Sequence, residues 1–125
     1  MKRIILLAFL CTTTLVMAQR INHVQEAIAN YDYEAALTLI AKEKPTIPLL
    51  LQKGKAQRGL GMNTEALSTY QEIITNDTAN TRAYIEAAEC CRSLAKYQQA
   101  LKYYEQALDL NPENKYVRIQ YIGLL

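Results

Sequence analysis

Between Ala95 and Asn114 the chain reads AKYQQALKYYEQALDLNPEN. Tyr97, Ala100, Leu101, Tyr104, Ala107 and Leu108 recur at three- and four-residue steps, which is one face of a helix. Lys96, Gln99, Lys102, Glu105 and Asp109 fall mostly on the other face. Asn111-Pro112 ends the element, because the residue before a proline is steered out of helical geometry. Just upstream, Ala83 to Leu94 carries Tyr84, Ala87, Ala88 and Cys91 on a second apolar stripe. The pattern predicts two helices joined by a short turn.

The same pattern recurs earlier in the chain, where Ala66 stands for Ala100, Tyr70 for Tyr104 and Asn80 for Asn114. This defines two tandem units of equal length, 47–80 and 81–114, without a gap. Pro48 suits a first helical turn, Gly61 a helix stop, and Asn63 or Thr64 a cap for the next helix. A weaker unit, 19–46, lies upstream, where Tyr33 and Ala36 match Tyr97 and Ala100. The step from Ala36 to Ala66 is shorter by four than the step from Ala66 to Ala100, so this first unit is shorter too. Residues 115–125 read as a further first helix, a half unit or cap. Gly54, Ala66, Ala88, Ala100 and Ala107 let helix backbones approach closely, and Tyr70, Tyr84 and Tyr104 fill the space beside them. One such pair cannot bury its apolar face alone, so successive pairs must stack.

A helix-turn-helix repeat of about 34 residues with this small-and-large pattern resembles the tetratricopeptide repeat family, whose motif runs W-x2-L-G-x2-Y, A-x3-F and P. In unit 81–114 those places are held by Tyr84, Ala87, Ala88, Cys91, Ala100, Tyr104 and Pro112. In unit 47–80 they are Leu50, Lys53, Gly54, Gln57, Ala66, Tyr70 and Thr78; Lys53 and Gln57 depart from the motif and weaken that first helix. Upstream, His23, Val24, Ala27, Ala36 and Ile40 take the corresponding places. The resemblance implies an all-α fold, a short right-handed α-solenoid of stacked helix-turn-helix units.

The chain opens MKRIILLAFLCTTTLVMAQ, with Lys2 and Arg3, then an apolar stretch, then Val16-Met17-Ala18. This is the build of a secretory signal peptide over 1–18, cut after Ala18. Ile4 to Ala18 is shorter than the roughly 20 residues of a membrane span, so no span is expected in the mature chain. Cys11 lacks the small preceding residue of a lipidated cysteine. The short leader and its Ala-Gln junction look bacterial and imply a periplasmic or secreted product. The whole chain has 14 Lys+Arg and 12 Asp+Glu; without Lys2 and Arg3 the counts are 12 and 12. Such a neutral domain is not expected to bind nucleic acid.

The residues that could carry chemistry read as packing residues. Cys90 and Cys91 project about 100° apart on a helix, with Cys91 on the apolar stripe and no C-x-x-C or nearby histidine to complete a metal set. A redox role for them is the lesser alternative. His23, the only histidine, has no nucleophile motif to serve and is expected to pack in the first helix. Gly54, Gly59 and Gly61 belong to a helix and its end, not to a phosphate loop. Of the nine tyrosines, Tyr33, Tyr70, Tyr84, Tyr97 and Tyr104 are expected mostly in the core. No enzyme activity, metal or cofactor is expected.

The resemblance implies that the first helices line a concave groove for an extended peptide or partner helix. Leu51, Lys55 and Arg58 would face it from one unit, and Arg82, Ile85, Glu89 and Arg92 from the next, with Ile21 and Gln25 upstream. The four cations among these form either a basic patch for an acidic segment or terminal carboxylate, or a solvated charged face. Ile21 and Gln25 stand where the family's chaperone-tail binders carry lysine and asparagine, so that specificity is not expected. At the other end, Val117, Ile119, Tyr121, Ile122, Leu124 and Leu125 are too apolar for a polar cap. Ile119, Ile122, Leu124 and Leu125 are expected to dock a partner, a second copy or further sequence; the alternative is that this end folds back on unit 81–114 and its last residues fray. The expected function is a non-enzymatic protein-binding scaffold of the cell envelope. The alternative is a self-assembling structural unit, or the scaffold part of a larger envelope complex, with homo-oligomers through the C-terminal helix.

Overall fold

The computed structural model describes residues 2–125, and all of its regular structure is helical. The helices are α1 (Lys2–Ala29), α2 (Tyr33–Ile40), α3 (Ile47–Gly59), α4 (Asn63–Asn76), α5 (Thr81–Ser93), α6 (Tyr97–Leu110) and α7 (Lys115–Leu124). Each packs on the next in sequence, so the chain is a stack of helix pairs closed by the lone α7.

Helix starts follow the repeat. Thr46, Asn80 and Asn114 stand one unit apart, and the side chain of each accepts the backbone N–H three positions on, at Leu49 (3.4 Å), Ala83 (3.0 Å) and Val117 (3.1 Å). Each such cap contributes about 1 kcal/mol. Among the second helices, Asp32 caps α2 through the Ala35 N–H, while α4 and α6 have no side-chain cap. Asn63 is the first residue of α4, so neither it nor Thr64 is the expected cap.

Small residues set how closely the pairs approach. A Cβ placed on Gly54 would lie 2.4 Å from Tyr70 Cζ, and one on Gly59 would lie 2.3 Å from the Tyr33 ring. The equivalent of Gly54 in the next unit is Ala88, wholly buried in the same core as Tyr104. The polar residue expected to weaken α3 is accommodated: Gln57 is buried, and Thr69 Oγ1 donates to its Oε1 at 2.7 Å.

The core is in two parts. Val24, Ile28, Ala36, Ile40, Leu49 and Ala56 form the first, around α1, α2 and one side of α3. Leu50, Tyr70, Tyr84, Cys91, Tyr104 and Val117 belong to the second, which runs from α3 to α7. Two expectations are corrected here. His23 faces solvent at the side-chain level, 3.9 Å from Glu26, while its neighbour Val24 does the packing. Tyr97 is 52% exposed, because it sits at the N-terminal edge of α6; Tyr70, Tyr84 and Tyr104 are buried and Tyr33 is half-buried.

All three turns inside a unit use a left-handed residue at the same register: Tyr31 (φ 60°), Gly61 (φ 76°) and Ala95 (φ 58°). Each turn is closed by the same bonds, such as Lys96 N–H to Cys91 O and Ala95 N–H to Arg92 O. Only Gly61 takes this conformation without steric cost. The left-handed region costs another residue about 1–2 kcal/mol, and a new glycine gives back up to about 1 kcal/mol of unfolded-chain entropy. Ala95→Gly is therefore expected to stabilise the fold by roughly 0.5–1 kcal/mol, read as a higher urea midpoint at unchanged slope.

Candidate functional site

The first helices α3, α5 and α7 carry the residues expected to line a groove. Leu51 and Ile85 are half-buried against the core, and Lys55 and Arg82 are exposed. Arg58 on α3 forms an ion pair with Glu86 on α5, and both side chains are partly buried. Burial works against the Arg58 charge, but the charge of Glu86 and the hydrogen bond to it, with Cys90 and Tyr70 nearby, together raise the guanidinium pKa. Arg92, the equivalent of Arg58 in the next unit, donates to Gln120 on α7, which is in turn the equivalent of Glu86. The same pair of positions thus ties unit 47–80 to unit 81–114 as Arg–Glu, and unit 81–114 to α7 as Arg–Gln.

Glu89 lies at the junction of three helices. Its Oε1 accepts from Tyr104 Oη of α6 at 2.6 Å and from Tyr116 Oη of α7 at 2.8 Å, and its Oε2 lies 3.5 Å from Arg92. Burial and the bond to Glu89 both raise the Tyr104 and Tyr116 phenol pKa values.

The expected basic patch is therefore redistributed. Arg58 and Arg92 are engaged with partners on neighbouring helices, and Glu89 is part of a packed network. Lys55 and Arg82 make no ion pair among the described residues. Sequence reasoning missed Glu86, Tyr116 and Gln120. The separation of Arg58 from Glu86, repeated between Arg92 and Gln120, was the signal that could have found the ties.

At the C-terminal end, α7 packs through Val117, Tyr121 and Leu124. Leu124 is thus corrected: it turns toward the core rather than out. Ile122 and Leu125 are 61% and 76% exposed. Their equivalents one unit earlier, Ala88 and Cys91, are fully buried in the core that α5 shares with α6. Ile119 is exposed too, but it is the equivalent of Ile85 and so belongs to the expected groove face.

Cys90 and Cys91 are both fully buried free thiols, since α5 is packed between α4 and α6. Burial pushes the Cys90 thiol up to about 12 and raises that of Cys91. No group of three or more His, Cys, Asp or Glu side chains is placed to hold a metal among the described residues.

At the N-terminal end, α1 runs unbroken through Ala18, and residues 2–23 are all exposed. The first buried side chain is Val24. The helix is long and apolar enough to cross a membrane, with a mean hydropathy of 1.9 in its most apolar window.

Residues 81–114 match the tetratricopeptide repeat family. Human Tetratricopeptide repeat protein 6 is 30% identical over 89 residues, which is 71% of this chain and 16% of that protein. The chain thus spans 16% of the length of the curated relative it matches. Among solved structures, the first tetratricopeptide domain of Spaghetti (RPAP3), bound to the HSP90 peptide SRMEEVD, is similar with a TM-score of 0.80 at 20% identity, covering 86% of this chain and 88% of that one. PcrH of Pseudomonas aeruginosa, in complex with the chaperone binding region of PopB, gives 0.76 at 18% identity, covering 88% and 94%. The Yersinia enterocolitica type III secretion chaperone SycD, with a peptide of the translocator YopD, gives 0.75 at 16% identity, covering 87% and 86%. At these identities the likeness is one of fold. The chain carries a tetratricopeptide repeat at 81–114 and folds as a short α-solenoid of such helix pairs.

The buried acids give a pH dependence with a definite sign. Tyr70, Tyr104 and Cys90 all have folded pKa values raised above their ordinary ones. Their contribution is complete below the unfolded pKa values, about 9 for the thiol and 10 for the phenols, and is lost progressively as the pH rises above them toward the raised folded values. Urea midpoints are expected to hold steady from about pH 7 to 8.5 and fall at about pH 10.5, and Cys90→Ala should reduce that fall.

Proposed function

We propose that this tetratricopeptide-type stack is a non-enzymatic protein-binding scaffold that holds a peptide or partner helix on the groove face of its first helices. One observation carries the reading. Leu51, Lys55, Arg82 and Ile85 are presented from two successive first helices while the residues around them, Arg58, Glu86, Glu89 and Arg92, hold those helices in register. A face built this way is rigid beneath and chemically free on top. That similar folds have been solved with bound peptides supports a peptide-binding role. Any preference for acidic ligands rests on Lys55 and Arg82.

The second reading is a self-assembling unit or the scaffold part of a larger complex. It is favoured by Ile122 and Leu125, exposed at positions that the preceding unit covers. One experiment separates the two. A photo-crosslinking residue is placed at Arg82, at Ile122, or at Gln98 as an exposed control on α6. Crosslinks to another protein from Arg82 alone are expected. Crosslinks only from Ile122, to a second copy of the chain, would replace the first reading with the second.

We further propose that residues 1–18 are a signal peptide and that the product works in the periplasm or outside the cell. No residue of 2–18 is itself buried, and the first buried side chain of α1 is Val24, beyond the cleavage point. The intact mass of the chain recovered from an envelope fraction is expected to begin at Gln19. A full-length mass would instead make α1 a membrane anchor.

A further inference from the structure

The first unit is shorter than the others, and α2 carries the loss. α2 has 8 residues, whereas α4 and α6 have 14 each. In the second unit α4 runs on past Tyr70 to Ile73, which is fully buried in the same core as Tyr84 and Ala87 of α5. α2 ends at Ile40, the equivalent of Tyr70. The place of Ile73 is taken by Glu43, which lies outside the helix and accepts from Arg20 at 3.0 Å. Beside the missing turns lies a cavity of about 430 Å³, walled by α2, α3 and α4. Small-molecule sites have volumes of roughly 300–1,000 Å³.

The side chains around this cavity do not repair the gap. Leu50, Lys53 and Gln57 line it, at the places that Tyr84, Ala87 and Cys91 hold one unit on. If stability alone counted, larger apolar side chains would fill the space that a short helix leaves. Here the ring of Tyr84 gives way to a smaller leucine, and a buried methyl and a buried thiol give way to an ammonium and an amide. Leu37, Ile40, Leu49 and Leu50 make an aliphatic wall. Lys53 of α3 and Glu72 of α4 line the same cavity, and neither has an ion-pair partner among the described residues. Gln57 holds Thr69 with one end of its amide at 2.7 Å, and the other end has no protein partner among the described residues. Glu43, also at the cavity, is already paired with Arg20.

We propose that this cavity is a small-molecule site, separate from the groove, for a free α-amino acid with an aliphatic side chain. The side chain lies on the aliphatic wall, the α-carboxylate meets the Lys53 ammonium, and the α-ammonium meets the Glu72 carboxylate. Both polar contacts are charge-assisted, the stronger class of hydrogen bond. The two unpaired charges of opposite sign select the ligand class. A fatty acid would satisfy Lys53 and leave Glu72 beside apolar surface, and an aliphatic amine would do the reverse. A peptide terminus carries only one of the two charges. A free amino acid carries both on one carbon, next to an apolar body. The cavity shares no residue with Leu51, Lys55, Arg82 and Ile85, so the inference stands apart from the groove reading.

The test is isothermal titration calorimetry of the purified chain with leucine, with isocaproate, which is leucine without its amine, and with isoamylamine, which is leucine without its carboxylate. The same titrations are run on Lys53→Met and Glu72→Gln. Glu72 is exposed and Lys53 half-buried, and circular dichroism melts check that both variants fold. Leucine is expected to bind the parent, and to bind each variant about tenfold or more weakly. Each analogue is expected to bind the parent about tenfold or more weakly than leucine, and alanine to do the same for want of an aliphatic body. Isocaproate binding as tightly as leucine, with Glu72→Gln without effect, would make this a carboxylate site and overturn the inference. Leucine binding that neither substitution weakens would place the ligand elsewhere and overturn it too, as would a parent chain that binds no leucine. The groove reading is judged by the crosslinks from Arg82 and survives any of these failures.

Discussion

The closeness of Gly54 to the Tyr70 ring governs the rest of the stack. With no room for even one carbon at Gly54, α3 and α4 meet backbone to ring. That contact fixes how the helices of a unit sit and which way the next pair must lean. One unit on, Ala88 and Tyr104 hold the corresponding positions, both fully buried in the same core, with a methyl group accommodated there. The aromatic ring supplies a large buried area, and the small residue lets it be buried without holding the helices apart. Two of the ring hydroxyls find uses outside the core: Tyr84 Oη donates to Thr78 O at 2.9 Å, and Tyr104 Oη to Glu89.

Once the helix pairs are set, polar groups join one pair to the next. The Arg58–Glu86 and Arg92–Gln120 ties use the same two positions, so the joint is part of the repeat. Such half-buried links are modest in energy, about 1 kcal/mol or less each. Their value lies in geometry: they keep α3, α5 and α7 in register, so the side chains between them point from a fixed base. The engagement of Arg58 and Arg92 also changes the electrostatics of the face. Of the four-cation patch, two cations stay free to meet a ligand, Lys55 and Arg82, beside aliphatic residues.

The fold was legible because it is repetitive. Helix periodicity, the Ala and Tyr positions and the constant offset between units all point to the same stack, and Asn80 and Asn114 already marked the unit boundary. The failures have local causes. His23 and Val24 are adjacent on α1, and a short weak unit does not say which of two neighbours turns inward. Tyr97 matches Tyr33 by register but lies at a helix edge where nothing covers it. The candidate site was less legible than the fold. Exposure on a first helix can be read from register, but the pairing of Arg58 with Glu86 depends on the angle between two helices, which no single helix pattern encodes.

The two-part core gives the stack a seam. Leu49 and Ala56 of α3 belong to the N-terminal cluster, and Leu50 of the same helix to the C-terminal one. In a solenoid, stability is a sum over units and the interfaces between them. The N-terminal pair, with the short α2 and the costly left-handed Tyr31, is the weaker side of this seam. By that measure, local opening is expected first on the N-terminal side of the seam. A ligand lying on both Leu51 and Ile85 touches the seam helix and its neighbour at once. The seam therefore runs along α3, the same helix that carries Leu51 to the face.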